Sequence, residues 1–359
     1  MTGDISQGSN AGDFPKRLLD IYTGAVLTCM IAIGHQTGLF EAAAKGPATC
    51  DQLAERAHLT ERYVREWLGA MVTGGIMVFR PDDATYELPL EQRRFLSGDA
   101  ASNAAPQSQL FPLLGRILPE VVTAFREGGG VPYERFRPEF TWVMDENWRR
   151  IYDSQLIDGF LPLAAELPVS LEAGIRVADF GCGTGHALNV MAREYPTSRF
   201  VGYDISDEAI HLATREAVSF GLTNVRFEAR DATTLSGTEK FDLITAFDSI
   251  HDCPRPAVVL RAIRDALDDD GMFLMVEHDF ASDLEGNLDN PFAPMYYGLS
   301  TMHCLTVSLA EGGAGLGALW GRQSAIRMLA DAGFDKVEVV GSPRPQNAVF
   351  ICRIGAPES

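Results

Sequence analysis

The run Val177-Ala178-Asp179-Phe180-Gly181-Cys182-Gly183-Thr184-Gly185 carries the strongest chemical signal in this chain. An apolar stretch ends at an acid and passes through three alternate glycines before a segment of helical character. Glycines there let a ligand approach the backbone and tolerate positive φ. The helix start that follows offers unpaired N–H groups. Two more acids occupy matching places. Asp204 closes the apolar run 200–203, where a carboxylate can accept hydrogen bonds from both hydroxyls of a ribose. Asp231 follows the run 225–229, in Arg230-Asp231-Ala232, where an acid can accept from an adenine amino group. A fourth run, 241–247, leads to His251-Asp252. A neutral imidazole, with an ordinary pKa near 6.5, can take a proton from an acidic hydroxyl at neutral pH.

The spacing discriminates between nucleotide ligands. A dinucleotide fold uses G-x-G-x-x-G with a pyrophosphate at the helix end. This chain has D-x-G-x-G-x-G. Asp179 would repel a pyrophosphate but suits a cationic amino acid group, which favours S-adenosylmethionine over NAD. The plain alternative is that each acid caps the helix after it.

These residues need a sheet to hold them at one edge. Strands are predicted at 176–180, 199–203, 225–229, 241–247, 272–277, 336–340 and 348–354. Helical stretches lie between them, at 187–194, 207–220, 256–267 and 323–332. Such alternation predicts a mostly parallel sheet with helices on both faces. The segment 279–322 is long for a connection and is the expected place for a substrate lid. It holds Tyr296, Tyr297, His303 and a glycine-rich stretch, 312–317, read as a flexible or tightly packed loop.

The first part of the chain reads differently. Residues 1–13 are small and polar, the composition of a disordered tail. The apolar stretch 21–33 is shorter than a bilayer requires and is expected to be a buried helix. Thr49 with Gln52 makes a capping box, and Thr60 is placed to cap the next helix. In that helix Val64, Trp67, Leu68 and Met71 share one face. Gly74-Gly75 ends it, and two short strands, 76–79 and 85–88, follow around a turn. Three helices and a hairpin are the layout of a winged helix, expected over 14–97. Prolines interrupt 98–147, so no long helix is expected there, only a helical linker partly roofing the domain at 148–356.

The formal net charge of −19 disfavours a nucleic-acid partner. Arg62 and Arg65, on the exposed side of the candidate recognition helix, are offset by Glu61 and Glu66. The six cysteines are scattered, with no C-x-x-C pair, and are read as reduced thiols of a cytoplasmic protein. No His, Cys, Asp and Glu group has metal-ligand spacing, so no metal is expected. No targeting segment is recognised, and no membrane partner is expected.

With DFGCGTG, Asp204 and Asp231-Ala232 in place, the segment 148–354 resembles the class I S-adenosylmethionine-dependent methyltransferases. That resemblance implies a Rossmann-like seven-stranded sheet of order 3-2-1-4-5-7-6 whose last strands form an antiparallel hairpin. A winged helix ahead of it is similar to small-molecule O-methyltransferases of the plant phenolic and bacterial polyketide type. It is closer still to bacterial, especially mycobacterial, winged-helix methyltransferases. In the plant type a histidine-aspartate pair deprotonates the acceptor, and His251-Asp252 fall on it. Cys253-Pro254-Arg255-Pro256 then departs from the pattern, leaving the histidine's partner open. Trp148 to Tyr152 lies where the plant enzymes carry a contact motif.

The expectation is therefore direct methyl transfer from S-adenosylmethionine to a small-molecule acceptor, with a hydroxyl as nucleophile. His251 is the expected base, with His303 as a second base or an acceptor contact. The candidate cofactor set is Asp179, Gly181, Gly183, Gly185, Asp204, Ile205, Asp231, Ala232 and Phe247. Tyr152, Tyr296, Tyr297 and His303 are candidate acceptor contacts. A homodimer formed through the N-terminal domain is expected. The alternatives are a winged-helix transcriptional regulator with a nucleoside-sensing α/β domain, and an NAD-dependent reductase.

Overall fold

The structure is a computed structural model that describes residues 13–234 and 239–355. The expected tail lies almost wholly outside these residues. The chain divides into two compact units, 1–112 and 113–359.

The first unit opens with helix α1 (Phe14–Gln36) and continues through α2 (Leu39–Ala44), α3 (Cys50–Ala57) and α4 (Glu61–Thr73). The hairpin β1 (Val78–Arg80) and β2 (Thr85–Glu87) follows, then α5 (Leu90–Leu96). The capping box of α3 forms as expected: Thr49 Oγ1 accepts from Gln52 N, and Gln52 Oε1 accepts from Thr49 N at 2.9 Å. Thr60 makes no side-chain cap to α4, a correction. Val64, Trp67, Leu68 and Met71 are buried in one cluster with Phe40 and Leu53. Burying each side chain of that size contributes about 1.5–3 kcal/mol.

Helix α1 corrects a larger expectation. It has 23 residues, and only Ala32 and Gly34 are buried. Phe14, Leu19, Ile21, Tyr22 and Val26 are exposed. By length and composition alone it could cross a membrane. In α4, Arg62 pairs with Glu66 and Arg65 with Glu61, both at 2.6 Å, so the basic side chains of the candidate recognition helix are already neutralised.

Helix α6 (Leu110–Glu127) corrects the reading of the linker. It runs 18 residues through two prolines. Pro112 falls in the first turn, where no backbone N–H is required. Pro119 is inside the helix. Tertiary packing outweighs it: Leu114, Ile117 and Val121 bury one face against Val131, Phe136 and Val307. Helix α7 (Glu139–Ile151) follows and passes into a π-helical stretch, Tyr152–Phe160.

From α8 (Leu167–Ala173) onward strands and helices alternate as expected: β3 (Arg176–Phe180), α9 (His186–Glu194), β4 (Arg199–Asp204), α10 (Asp207–Ser219), β5 (Val225–Ala229), β6 (Phe241–Phe247), α11 (Pro256–Ala266) and β7 (Leu267–His278). Then come α12 (Ala293–Met302), α13 (Cys304–Ala310), α14 (Gly321–Asp331), β8 (Lys336–Gly341) and β9 (Asn347–Arg353). The sheet order is β5-β4-β3-β6-β7-β9-β8. The first five strands run parallel, and β9 is antiparallel to both neighbours. The strands reverse direction of spread at β3 and β6, which opens a crevice beyond their carboxyl ends. The α11 and α14 helices cover one face over a core that includes Phe180, Ile244, Leu260, Phe273 and Phe350.

The glycine-rich stretch 312–317 is packed from Gly313 onward. A Cβ on Gly313 would come within 2.6 Å of Pro254 Cα, and one on Gly317 within 2.4 Å of Ser300 Oγ.

Candidate active site

The glycine turn between β3 and α9 is built as its sequence requires. Gly181, Gly183 and Gly185 have φ of +71°, +54° and +70°. A side chain at Gly181 would strike Ser249, and one at Gly185 would strike Phe227 and Ala213. Gly183 differs, because a Cβ there meets nothing within 4 Å and would project into open space. Asp204, at the end of β4, accepts from Gly183 N at 2.8 Å and from Ser206 N at 2.9 Å. It does not cap α10; Ser206 does, accepting from Ala209 N. Burial raises the Asp204 carboxyl, opposed by the Ser206 and Gly183 N–H groups and by Arg137. Arg137 donates to Ser206 Oγ at 2.8 Å and so ties the segment before α7 to this strand end.

Asp179 is buried at the end of β3 and accepts from Thr245 Oγ1 at 2.7 Å. Burial lifts its carboxyl to about 7. Asp231 is exposed, accepts from Thr233 N at 2.8 Å and faces Arg255 at 3.4 Å, so the capping alternative holds for it in part. Ala232 packs at the edge of the core, Ile205 is 66% exposed, and Phe247 is buried at the end of β6. A cradle of glycines, an open space at Gly183 and two buried carboxyls suit a nucleoside carrying a cationic amino acid group. Asp179 and Asp204 would hold its polar groups, with the Gly183 turn against its backbone-facing edge.

Helix α7 closes over this turn. Thr184 hydrogen-bonds Asp145, Asp145 pairs with Arg149 at 3.0 Å, and Arg149 pairs with Glu216. Buried His186 joins them, its Nδ1 at 2.9 Å from Glu216 and its Nε2 at 2.9 Å from Asp153. Tyr152 stacks on Trp148 with centroids 5.2 Å apart and meets Phe247 edge-on at 5.3 Å. Burial, with Asp179 and Asp248 nearby, pushes its hydroxyl well above the usual phenol range.

Beyond β6 and β7 lies a chain of buried titratable groups. His251 Nδ1 lies 2.7 Å from Glu277 Oε2, and its Nε2 lies 3.2 Å from Asp252 Oδ1. Glu277 Oε1 accepts the N–H groups of Ile250 and His251, at 3.0 and 3.2 Å. Thus the histidine's partner is Glu277 first, and the adjacent Asp252 also reaches the ring. Burial pushes the His251 pKa down, but Glu277 and Asp252 overrule it and hold it well above the ordinary imidazole value. Burial raises Asp252, and His251 more than reverses that, holding it below the carboxylate range.

His303 sits between α12 and α13, its Nδ1 3.8 Å from Asp252 Oδ2 and its ring stacked on Phe140 at 3.8 Å. Burial lowers its pKa to about 4. Tyr296 is buried and lies edge-on to His278 at 4.8 Å. Tyr297 is 37% exposed, and its hydroxyl accepts from Asn287. The fold therefore gathers His251, His303 and Tyr296 around Asp252 and His278, and leaves Tyr297 toward solvent.

Sequence reading missed Glu277, Asp248, Arg344 and Asn347. The first two had a signal, since each is an acid at the carboxyl end of a strand. Arg344 and Asn347 had none, because the β8–β9 turn reaches the site only through the antiparallel pairing. Asp248, His251, Glu277 and His278 present ligand atoms within 4.8 Å of one another, a grouping that sequence spacing does not reveal. In this structure His251 Nδ1 pairs with Glu277 and His278 Nε2 faces Asp248, and Arg344 Nη1 lies 3.6 Å from Asp248 Oδ2, which opposes a cation.

Residues 171–333 match the family described as "Methyltransferase domain", and residues 25–98 match the "Rv2258c-like winged HTH domain". The trans-aconitate 2-methyltransferase of Streptomyces avermitilis is 31% identical over 133 residues, covering 37% of this chain and 47% of that protein. The chain thus spans about half the length of that curated relative. A putative O-methyltransferase from Nostoc punctiforme shares the fold with a TM-score of 0.72 at 19% identity, over 94% of this chain and 98% of its own. Human N-acetylserotonin methyltransferase, solved with S-adenosylmethionine, gives 0.70 at 17% identity, over 97% and 100%. Residues 171–333 thus carry a methyltransferase domain and residues 25–98 an Rv2258c-like winged-helix domain, and the chain shares its fold with the methyltransferase structures above.

Proposed function

We propose that the protein methylates a hydroxyl of a small-molecule acceptor, with His251 as the proton acceptor. The observation that carries this reading is the buried Glu277–His251 pair at 2.7 Å, set at the end of β7 and just past β6, beside the crevice. Glu277 holds Nδ1, so Nε2 is the nitrogen that receives the proton. Asp252 lies beside that nitrogen and stabilises the imidazolium once formed. S-adenosylmethionine, when bound, supplies a methyl group on a positively charged sulfur, which is the electrophile and also a charge that disfavours protonated His251. As the acceptor oxygen took the methyl that the bound cofactor would supply, with the carbon–sulfur bond giving way, the hydroxyl proton would pass to His251 Nε2. The protein's further work is to align the acceptor and to exclude water, a role that α7 and the segment 279–322 would take.

The winged helix is proposed to serve self-association, not DNA. Its apolar α1 face would pack against a second copy, while the arginines of α4 are already paired.

The experiment is transfer of a labelled methyl group from S-adenosylmethionine to a panel of phenols and aliphatic alcohols, followed by His251→Ala. General base catalysis typically contributes about 10²–10⁴-fold, and the variant should lose that much kcat. Near-normal turnover by the variant would remove His251 from the base role.

A further inference from the structure

His278 and Asn347 are cross-strand partners where β7 ends and β9 begins, so their side chains share a face of the sheet. Both are buried, at 9% and 1% exposure. Both meet Asp248, the first residue after β6. Asn347 Nδ2 donates to Asp248 Oδ1 at 2.8 Å, which fixes the amide and leaves Oδ1 as an acceptor. His278 Nε2 faces Asp248 Oδ2 at 3.5 Å and so carries the ring proton, leaving a lone pair on Nδ1. Neither Asn347 Oδ1 nor His278 Nδ1 has a hydrogen-bond partner among the described residues. Buried polar atoms in folded proteins are paired in the great majority of cases, and a specific exception calls for a reason.

The chemistry of that partner can be read from the site. Two lone pairs ask for donors, so an ether, a ketone or a carboxylate does not fit. Arg344 already balances Asp248, with Nη1 at 3.6 Å and the guanidinium 4.7 Å over Trp148, so the site does not ask for a cation. A neutral donor remains. His278 is itself uncharged, because burial and the neighbouring His251 charge push it down to about 3. Its ring lies 4.8 Å from that of His251 and 4.8 Å from that of Tyr296, which places the pair beside the proposed base and against an aromatic wall.

We propose that the acceptor carries a second hydroxyl besides the one methylated, that this hydroxyl donates its one proton to His278 Nδ1, and that Asn347, cross-strand from His278 and bonded to the same Asp248, positions that ring. This rests on the hydroxyl-methylation reading above. These two residues position the acceptor and set its class; the proton still leaves through His251.

The test pairs turnover with binding. Catechol, resorcinol and hydroquinone are compared with phenol and with their monomethyl ethers, using labelled S-adenosylmethionine. At least one dihydroxy member should exceed phenol and its own ether tenfold or more in kcat/KM. In His278→Phe and in Asn347→Leu that ratio should fall to near one, through KM more than kcat. Binding is followed without turnover, in the complex with S-adenosylhomocysteine, by the 15N resonance of His278 Nδ1. It should move on adding the preferred dihydroxybenzene and stay still with the dimethoxy analogue. A preference or a shift that is absent across the panel overturns the proposal and assigns the two lone pairs to solvent. A shift without methyl transfer to any member leaves the subsite standing and overturns the hydroxyl-methylation reading instead.

Discussion

Glu277 holds His251 at two points: one carboxylate oxygen lies 2.7 Å from the ring Nδ1, and the other accepts the residue's own backbone N–H at 3.2 Å. Side chain and backbone are thus located by one acid on a neighbouring strand, so the ring cannot turn without losing its Nδ1 contact while the backbone stays anchored.

This pairing fixes the sign of the pH dependence. A ring held above its ordinary pKa keeps its proton to higher pH and gains basic form as pH rises. The plot of kcat/KM against pH should therefore climb through an apparent pKa above the ordinary value. Glu277→Gln removes the charge that raises it, and the climbing limb should move to lower pH. An unmoved limb would show that Glu277 does not set the ionisation of His251. The same pairing gives stability that is full below the unfolded pKa and lost as pH rises through the folded one.

Asp204 should govern cofactor affinity. Hydrogen bonds to a charged group contribute about 1.5–3 kcal/mol each. Asp204→Ala should weaken S-adenosylhomocysteine at least tenfold in calorimetry. The fold should persist, since Ser206 and not Asp204 caps α10. Unchanged affinity would take Asp204 out of the site.

Cofactor choice is open to a direct measurement. At a hundredfold excess over Kd, a ligand that binds only the folded state adds about 2.7 kcal/mol. S-adenosylmethionine should raise Tm in a melting scan, and NAD should leave it unchanged. A rise with NAD alone would contradict the reading of Asp179 and the glycine turn.

The exposed face of α1 should be covered in solution. Light scattering at micromolar concentration should give a dimer, and Leu19→Glu with Val26→Glu should give a folded monomer. A monomeric intact chain overturns this, and flotation with lipid vesicles would assign the face to a bilayer.

The positions that local backbone geometry sets were legible in the sequence. Alternate glycines demand a positive-φ turn, an acid ending an apolar run sits at a strand end, and strand-helix alternation implies a parallel sheet. Asp179, Asp204, the glycines and His251 follow from those local rules. Tertiary structure decided the rest. Pro119 reads as a break, yet α6 continues through it because its apolar face is buried. The 21–33 stretch reads as core, yet only Leu27, Met30, Ile31 and Ala32 turn inward while Ile21, Tyr22, Val26 and Ile33 are exposed, since the apolar run does not say which of its faces is covered. Glu277 meets His251 across 26 positions of sequence, and Asn347 meets Asp248 across 99. Contacts at such separation are set by strand order and by the antiparallel return of β9, and no local pattern encodes them.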